Sequence, residues 1–513
     1  MVRVSATSSA GVGRDGHPVR ESRPPGSDIV VRRGLSEAVV DLEAVAHNTR
    51  VLSAHARGAV MAVVKADGFG HGAVEVARTA LAHGADWLGV ASSAEALTLR
   101  GAGISAPVPS WIHLPDEDHT EALALGVDLS VGSLAHLEGV AACAAAAGTV
   151  AVVHLKVDTG LHRNGVCPAH WPRLVEAAAA LEERGLVRVR GVWSHLIHPD
   201  DPGHPATADQ VRVFEAAAER ARAAGLRPDL LHLANSAAAL AAPRTHYDLV
   251  RAGAALYGIE PVRGRTFGLR PAMTLSGRVV TSRTVAAGEG VSYGHDHTTT
   301  EPTALALVPL GYADGLPLAA SGRAAVHIGG ARWRVAGRIA MDQCVVDTGE
   351  DRIAVGEEVV AFGPGSRGEP TAAEWAGWAG TTPHEILTGV GTRVPRRYLP
   401  ARPAAAPAGA GPRLRVAVLF GGPGGEHDVS CASAAAIVNH LDRSRYALRP
   451  IRITTDGRWV AGPADLPRGH IPRGGPHRPD GRRPGERVGQ RAARAACPGR
   501  RGRGPARPAR AVR

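Results

Sequence analysis

Apolar residues recur along residues 38–260 in two alternating rhythms. Eight short β-rich runs appear in order: MAVVKAD, DWLGVAS, PSWIHL, VDLSVGS, VAVVHLKVD, VRGVWSHL, LLHLANS and DLVRAGAALYG. Between them lie stretches such as GAVEVARTALAHG and ADQVRVFEAAAERARAAG, whose apolar positions fall three and four apart and which end on glycine. Apolar strands alternating with helices over this length predict an α/β fold, a (β/α)8 TIM barrel rather than an open sheet. Polar residues gather at the C-terminal ends of the runs, where such barrels keep their chemistry.

After about Leu269 the helical spacing gives way to short β segments punctuated by glycine: MTLSGRVVTSRTV, TALALVPLGYADG, AAVHIGG, WRVAGRIAMDQCVVDTG and GEEVVAFG. These predict an antiparallel β domain. The expected organisation is a disordered extension over 1–35, a barrel over 36–268, the β domain over 269–400 and a Pro/Ala linker over 401–412. A short α/β fragment over 413–462 follows, with one strand, a Gly-rich turn and a helix. The last stretch, 463–513, is a disordered Arg/Pro/Gly tail with too few apolar residues to build a core.

The formal net charge of +11 invites a nucleic-acid reading, but residues 464–513 hold 14 arginines against 3 acids. The tail therefore accounts for the whole excess, and a basic binding face on the body is not expected. Five scattered cysteines, Cys143, Cys167, Cys344, Cys431 and Cys497, form no C-x-x-C pair. They predict a reducing, cytoplasmic setting without a disulfide framework or a metal site. No apolar run is long enough to span a bilayer and no export signal opens the chain, so a soluble protein without membrane partners is expected.

Lysine usage changes the picture most. Of 59 basic residues only Lys65 and Lys156 are lysine. Arginine serves elsewhere, so these two are candidates for chemistry that a guanidinium cannot do: losing a proton and attacking a carbonyl carbon or CO2. Lys65 ends an apolar run and precedes the glycine-rich ADGFGHG, a position that predicts a desolvated amine at the barrel mouth, suited to Schiff-base formation.

The stretch VVKADGFGHG resembles the cofactor-lysine signature of alanine racemases, with Phe69 where tyrosine is usual. The resemblance extends over roughly 36–400. It implies pyridoxal 5'-phosphate on Lys65 and interconversion of L- and D-alanine, which supplies D-alanine for peptidoglycan. HLKVDTGLHRNG resembles the family segment with a carbamylated lysine, here Lys156, and a substrate-side arginine, here Arg163. His195 in VWSHL is similar to the histidine that packs on the cofactor ring. Asn235 and Ser236 in LHLANSAA match positions near the cofactor phosphate, as do the backbone N–H groups of Gly253 and Ala254. Arg251 in VRAGAALYG is similar to the arginine that hydrogen-bonds the pyridine nitrogen and so discourages transamination. Tyr293 in GVSYGHD resembles a second catalytic base, acting on the L-enantiomer while Lys65 acts on the D-enantiomer. In the family that tyrosine comes from the partner subunit, which implies a homodimer with shared active sites. Tyr312 resembles an entrance residue, and the Met341 backbone N–H falls where substrate carboxylate binds. Thr392 in GTRVPRRYL takes a cofactor-side position held in some relatives by tyrosine. With Phe69 it implies weaker phosphate binding, each lost charge-assisted bond costing roughly 1.5–3 kcal/mol.

RVAVLFGGPGGEHDVSCASAAAIVNHL resembles the opening of D-alanine–D-alanine ligases, with Glu426 matching a family glutamate. The resemblance is expected to stop near 460, with no body for ligase activity behind it. Four other readings stand beside alanine racemisation. They are a related racemase of broader specificity, for example for serine, a decarboxylase on the same plan, a non-catalytic cofactor-binding barrel, and a nucleic-acid binder resting on the tail alone.

Overall fold

The computed structural model describes residues 34–198, 200–201, 203–401, 414–423, 427–440 and 446–461. Nearly all of the expected N-terminal extension, most of the linker, Glu426 and the basic tail lie outside the described residues. Strand β1 (Ser36–Asp41) comes first. Asp41 then caps the helix Leu42–His55, its carboxylate accepting the Glu43 and Ala44 N–H groups.

Eight parallel strands follow: β2 (Ala59–Val63), β3 (Trp87–Gly89), β4 (Pro109–Ser110), β5 (Asp128–Val131), β6 (Ala151–Lys156), β7 (Val187–Trp193), β8 (Leu230–His232) and β9 (Leu249–Ala252). They are the eight runs read from the sequence. Hydrogen bonding orders them β3-β2-β9 and β4-β5-β6-β7-β8. A bridge from Val90 to Ser110 joins β3 to β4. The bonds Asp248 N–H to Leu231 O and Arg251 N–H to Ala234 O close the ring between β8 and β9. Helices cover the outside, and one core of Val, Leu and Ala from both layers fills the space between them. Inside the ring the packing is unusual, because His154, His232 and Asp128 are all buried there.

The second domain contains β10 (Met273–Arg278), β11 (Thr281–Val285), β12 (Gly290–Val291), β13 (His297–Thr298), β14 (Thr303–Val308), β15 (Ala325–Ile328), β16 (Ala331–Arg334), β17 (Cys344–Asp347), β18 (Glu358–Phe362) and β19 (Arg396–Leu399). Its larger sheet has the order β16-β15-β18-β10-β1-β19. The segment at 36–41, expected to open the barrel, thus pairs antiparallel with β10 and parallel with β19. Alternation explains this. Ala38 packs into the second core with Leu275 and Phe362, Val40 two residues on is buried as well, and a strand with one apolar face suits a half-exposed sheet.

Beyond the linker, β20 (Leu414–Gly421) runs parallel to β21 (Tyr446–Ile453), which pairs antiparallel with β22 (Trp459–Ala461). The helix His427–His440 packs on this sheet through Cys431 and Ala434, against Val418, Phe420 and Leu448. Among the described residues no helix is long and apolar enough to cross a membrane.

Candidate active site

The strands deliver the site at their C-terminal ends. Lys65 follows β2, Lys156 ends β6, His195 lies just past β7, Asn235 and Ser236 follow β8, and Arg251 with Gly253 and Ala254 sits at the end of β9. All of these, together with Arg163 and Phe69, line one cavity of about 550 Å³. That volume suits a small cofactor with a small substrate.

Lys65 stands on a turn of rare conformation. Ala66, Asp67, Gly68 and Phe69 all have positive φ, between 50° and 61°. Consecutive left-handed residues cost roughly 1–2 kcal/mol each for non-glycine types. Hydrogen bonds hold the turn: Gly68 N–H to Val64 O at 2.9 Å and Gly70 N–H to Ala66 O at 3.0 Å. Glu95 adds another, its Oε1 accepting the Ala66 N–H at 2.7 Å while Oε2 accepts the Ala91 N–H. Backbone strain maintained this tightly fits a functional position.

The electrostatics favour neutral amines and imidazoles. Burial, and then Arg163, pull the Lys65 amine below its ordinary value, while Glu95 opposes them. Burial, Arg251 and Arg163 bring Lys156 down to about 7. Its Nζ lies 4.2 Å from the centre of the Trp193 ring. Burial and the Arg251 guanidinium drive His195 down to about 2, so its ring is neutral. Arg251 itself is buried, and its Nη groups contact Ser194 O at 2.7 Å, His232 O at 3.0 Å, Leu233 O at 3.1 Å and His195 Nδ1 at 3.4 Å.

A polar corner lies at Ser236. Its Oγ accepts N–H bonds from Gly253 at 2.9 Å and Ala255 at 3.3 Å, which directs the hydroxyl hydrogen elsewhere. The Asn235 amide nitrogen beside it is buried without a partner. A Cβ on Gly253 would stand 3.3 Å from Phe69 Cζ, a tight contact that glycine avoids.

Three anticipated residues and one departure lie elsewhere. Tyr293, Tyr312 and Met341 are 71%, 45% and 53% exposed on the β domain, outside the cavity lining. They sit on mutually tied loops. Tyr312 N–H bonds Ala340 O, Ala313 N–H bonds Met341 O, and Ser292 Oγ–H bonds Arg338 O. Arg393 clamps the same loops by binding Asp314 with two nitrogens and Asp342 with a third. Thr392 is exposed beside Arg393 and does not line the cavity. Within one chain, then, the structure does not bring Thr392 to the cofactor side of the site, because Arg393 and the buried Val394 hold that loop against the β domain. Trp111, Trp193 and His384 do line it and were not anticipated. Trp193 stands two residues before His195, and strand alternation could have placed both on one face. His384 arrives from the other domain with no signal in the sequence.

Residues 40–261 match the family described as alanine racemase, N-terminal domain, and residues 272–398 match alanine racemase, C-terminal domain. An alanine racemase of Frankia casuarinae is 51% identical over 385 residues, covering 74% of this chain and 99% of that protein. The chain belongs to the alanine racemase family. The crystal structure of alanine racemase from a D-cycloserine-producing Streptomyces lavendulae superposes with a TM-score of 0.70 at 48% identity, over 72% of this chain and 98% of that one. An alanine racemase of Bacillus anthracis, solved with L-Ala-P bound, gives 0.68 at 29% identity over 72% and 96%. Residues 415–494 match the D-ala D-ala ligase N-terminus. That match runs past residue 460, where the resemblance was expected to stop, into residues outside those described. Within the racemase family, the barrel site described above occupies the family's N-terminal domain, and the exposed tyrosine loops occupy its C-terminal domain.

Proposed function

We propose that the chain interconverts L- and D-alanine, with pyridoxal 5'-phosphate carried on Lys65 and a homodimer completing each site. One observation carries the reading: both of the chain's lysines open on a single barrel-mouth cavity with Arg163, His195 and Arg251. The polar corner fits a phosphate, since the unpartnered Asn235 amide, the outward Ser236 hydroxyl and the Ala254 N–H all offer hydrogens to an anion. When bound, the cofactor supplies an electron sink that eases removal of the α-proton.

The remaining chemistry belongs to the protein. The desolvated Lys65 amine takes or returns the proton on one face of the α-carbon. The Tyr293 phenol of a second chain serves the other face, which agrees with its exposure and its absence from the cavity lining of its own chain. Arg163 holds the substrate side, with the Met341 N–H and Tyr312 at the entrance. His195, neutral and in contact with Arg251, would pack on the cofactor ring, and Arg251 would face the ring nitrogen. The family role implies a cytoplasmic protein feeding D-alanine to peptidoglycan. Incubation with the cofactor and L-alanine in deuterated water tests the reading: D-alanine labelled at the α-carbon is the expected product. Absence of D-alanine from well-folded dimer would overturn it.

With the Lys156 amine brought down to about 7, its neutral fraction is expected to grow as pH rises through that value. Attack on CO2 would convert it to a carbamate, an anion able to hold Arg163. With 13C-labelled bicarbonate, a new carbonyl resonance is expected in the native protein and none in Lys156→Arg. A second substitution tests the phosphate corner. Phe69→Tyr adds a hydroxyl at Cζ beside Gly253, and one added bond to phosphate is expected to tighten cofactor binding by about tenfold. Equilibrium titration of the cofactor-free protein measures it.

A further inference from the structure

A line of charged and polar groups runs down the inside of the barrel, away from the cavity. Arg251 Nη1 lies 3.3 Å from His232 Nδ1. His232 Nε2 lies 3.0 Å from His154 Nδ1, and His154 Nε2 lies 3.1 Å from Asp128 Oδ2. Arg190 Nη1 closes the line, 3.0 and 2.7 Å from the two Asp128 oxygens. Both histidines and Asp128 are at most 2% exposed. The indole of Trp193 stacks on His232 with planes 2° apart, and Trp87 stands edge-on to His154. Gly191 makes room for the line, since a Cβ there would come within 2.4 Å of His154 Nδ1.

The ends of the line dictate its protons. A guanidinium only donates, so His232 Nδ1 must present a lone pair to Arg251. Neutral His232 then carries its hydrogen on Nε2 and donates it to His154 Nδ1. His154 in turn carries its hydrogen on Nε2 and donates to the Asp128 carboxylate. The reverse assignment sets two N–H groups against each other in a dry interior, and buried donors left unpaired are costly. Burial and Arg251 hold His232 well below its ordinary value, which keeps that ring neutral. Burial also brings Arg251 down to about 9, so a buried cation here benefits from a carboxylate linked to it by hydrogen bonds. Lys156, Arg163 and His195 face Arg251 from the cavity side, and Arg100 lies within electrostatic range of Asp128. Among the described residues, the hydrogen bonds of Arg251 all use Nη1 or Nη2, and its guanidinium also lies over the Trp193 ring, 4.8 Å from the centroid.

We propose that Asp128 is a positioning residue for Arg251. Through His154 and His232 it fixes both imidazoles as Nε2–H tautomers, so that the guanidinium stays oriented and remains a donor at the cavity. The inference rests on the reading above in which Arg251 faces the cofactor ring, and it extends that reading to three residues which touch neither cofactor nor substrate. Gly191 acts in the same line by leaving space for His154.

Long-range 15N–1H correlation spectra of the cofactor-free protein, with 15N-histidine, test the first half directly. The expected result is Nε2–H at both His154 and His232, and Nδ1–H at either one overturns the proposal without any variant. Asp128→Asn tests the second half. Arg190 claims the one remaining oxygen, so the amide turns its N–H groups to His154 and inverts that tautomer. In the cofactor-loaded dimer, pyruvate formed per D-alanine is expected to rise about tenfold, the scale at which outer-shell partners act. An unchanged ratio in folded Asp128→Asn overturns the proposal. Should that variant not fold, His154→Leu carries the same measurement, because it breaks the line between Asp128 and His232; an unchanged ratio there is equally fatal. Failure of the cofactor reading is separate, since Lys65→Ala would then keep the visible absorbance of bound cofactor while the tautomers stay as assigned.

Discussion

Lys65→Ala is expected to abolish alanine interconversion, lowering kcat by about 10⁴-fold or more, because one residue both carries the cofactor and serves as a base. The same change should remove the visible absorbance of the bound cofactor. Lys65→Arg is expected to be equally inactive, although it keeps a positive charge at the end of β2, because a guanidinium does not give up its proton to become a nucleophile. Steady-state assays in both directions with absorbance of the purified proteins check this. Activity in Lys65→Arg above about a tenth of the native rate would remove the argument from lysine usage. Compared with the cofactor-free native protein, thermal unfolding should show no loss of stability, because the amine is held against its own desolvation and Arg163.

Tyr293→Phe is expected to cost about 10²–10⁴-fold in racemisation while leaving half of the chemistry intact. With D-alanine in deuterated water, Lys65 would still remove the α-proton and return a deuteron to the same face. Exchange without inversion should therefore persist, whereas L-alanine should exchange far more slowly. Mixing unfolded Lys65→Ala and Tyr293→Phe chains and refolding them gives a sharper result. Half of the dimers are then mixed, and each mixed dimer carries one intact site, so about a quarter of native activity should return. No recovery would mean that the phenol does not act across the subunit boundary. Tyr293 is 71% exposed and outside the cavity of its own chain, so a single chain offers it no route to the α-carbon.

Much of the barrel was legible because its strands are short apolar runs with a chemical residue at the end. That pattern, with the lysine count, marked Lys65 and Lys156, whereas His195, Ser236 and Arg251 were named from the resemblance to the family. The strand at 36–41 was less legible. Its pairing partners at 273–278 and 396–399 lie hundreds of residues away, and alternation alone does not say which sheet will accept a strand. Thr392 was placed on the cofactor side by the resemblance alone, yet within one chain Arg393, whose partners are Asp314 and Asp342, holds that loop against the β domain.

By itself the amino-acid sequence determined which side chains could do chemistry here and which strand ends would present them, because both are local properties: two amines in a chain of arginines, and apolar runs that stop at polar residues. Only the tertiary structure decided how those groups are coupled. The left-handed turn beneath Lys65 depends on Glu95 from another helix. The route from Arg251 to Asp128 depends on three strands bringing His232, His154 and Asp128 into one dry interior, where hydrogen-bond direction becomes compulsory. Proximity between residues far apart in sequence is set by packing, and protonation follows from that packing.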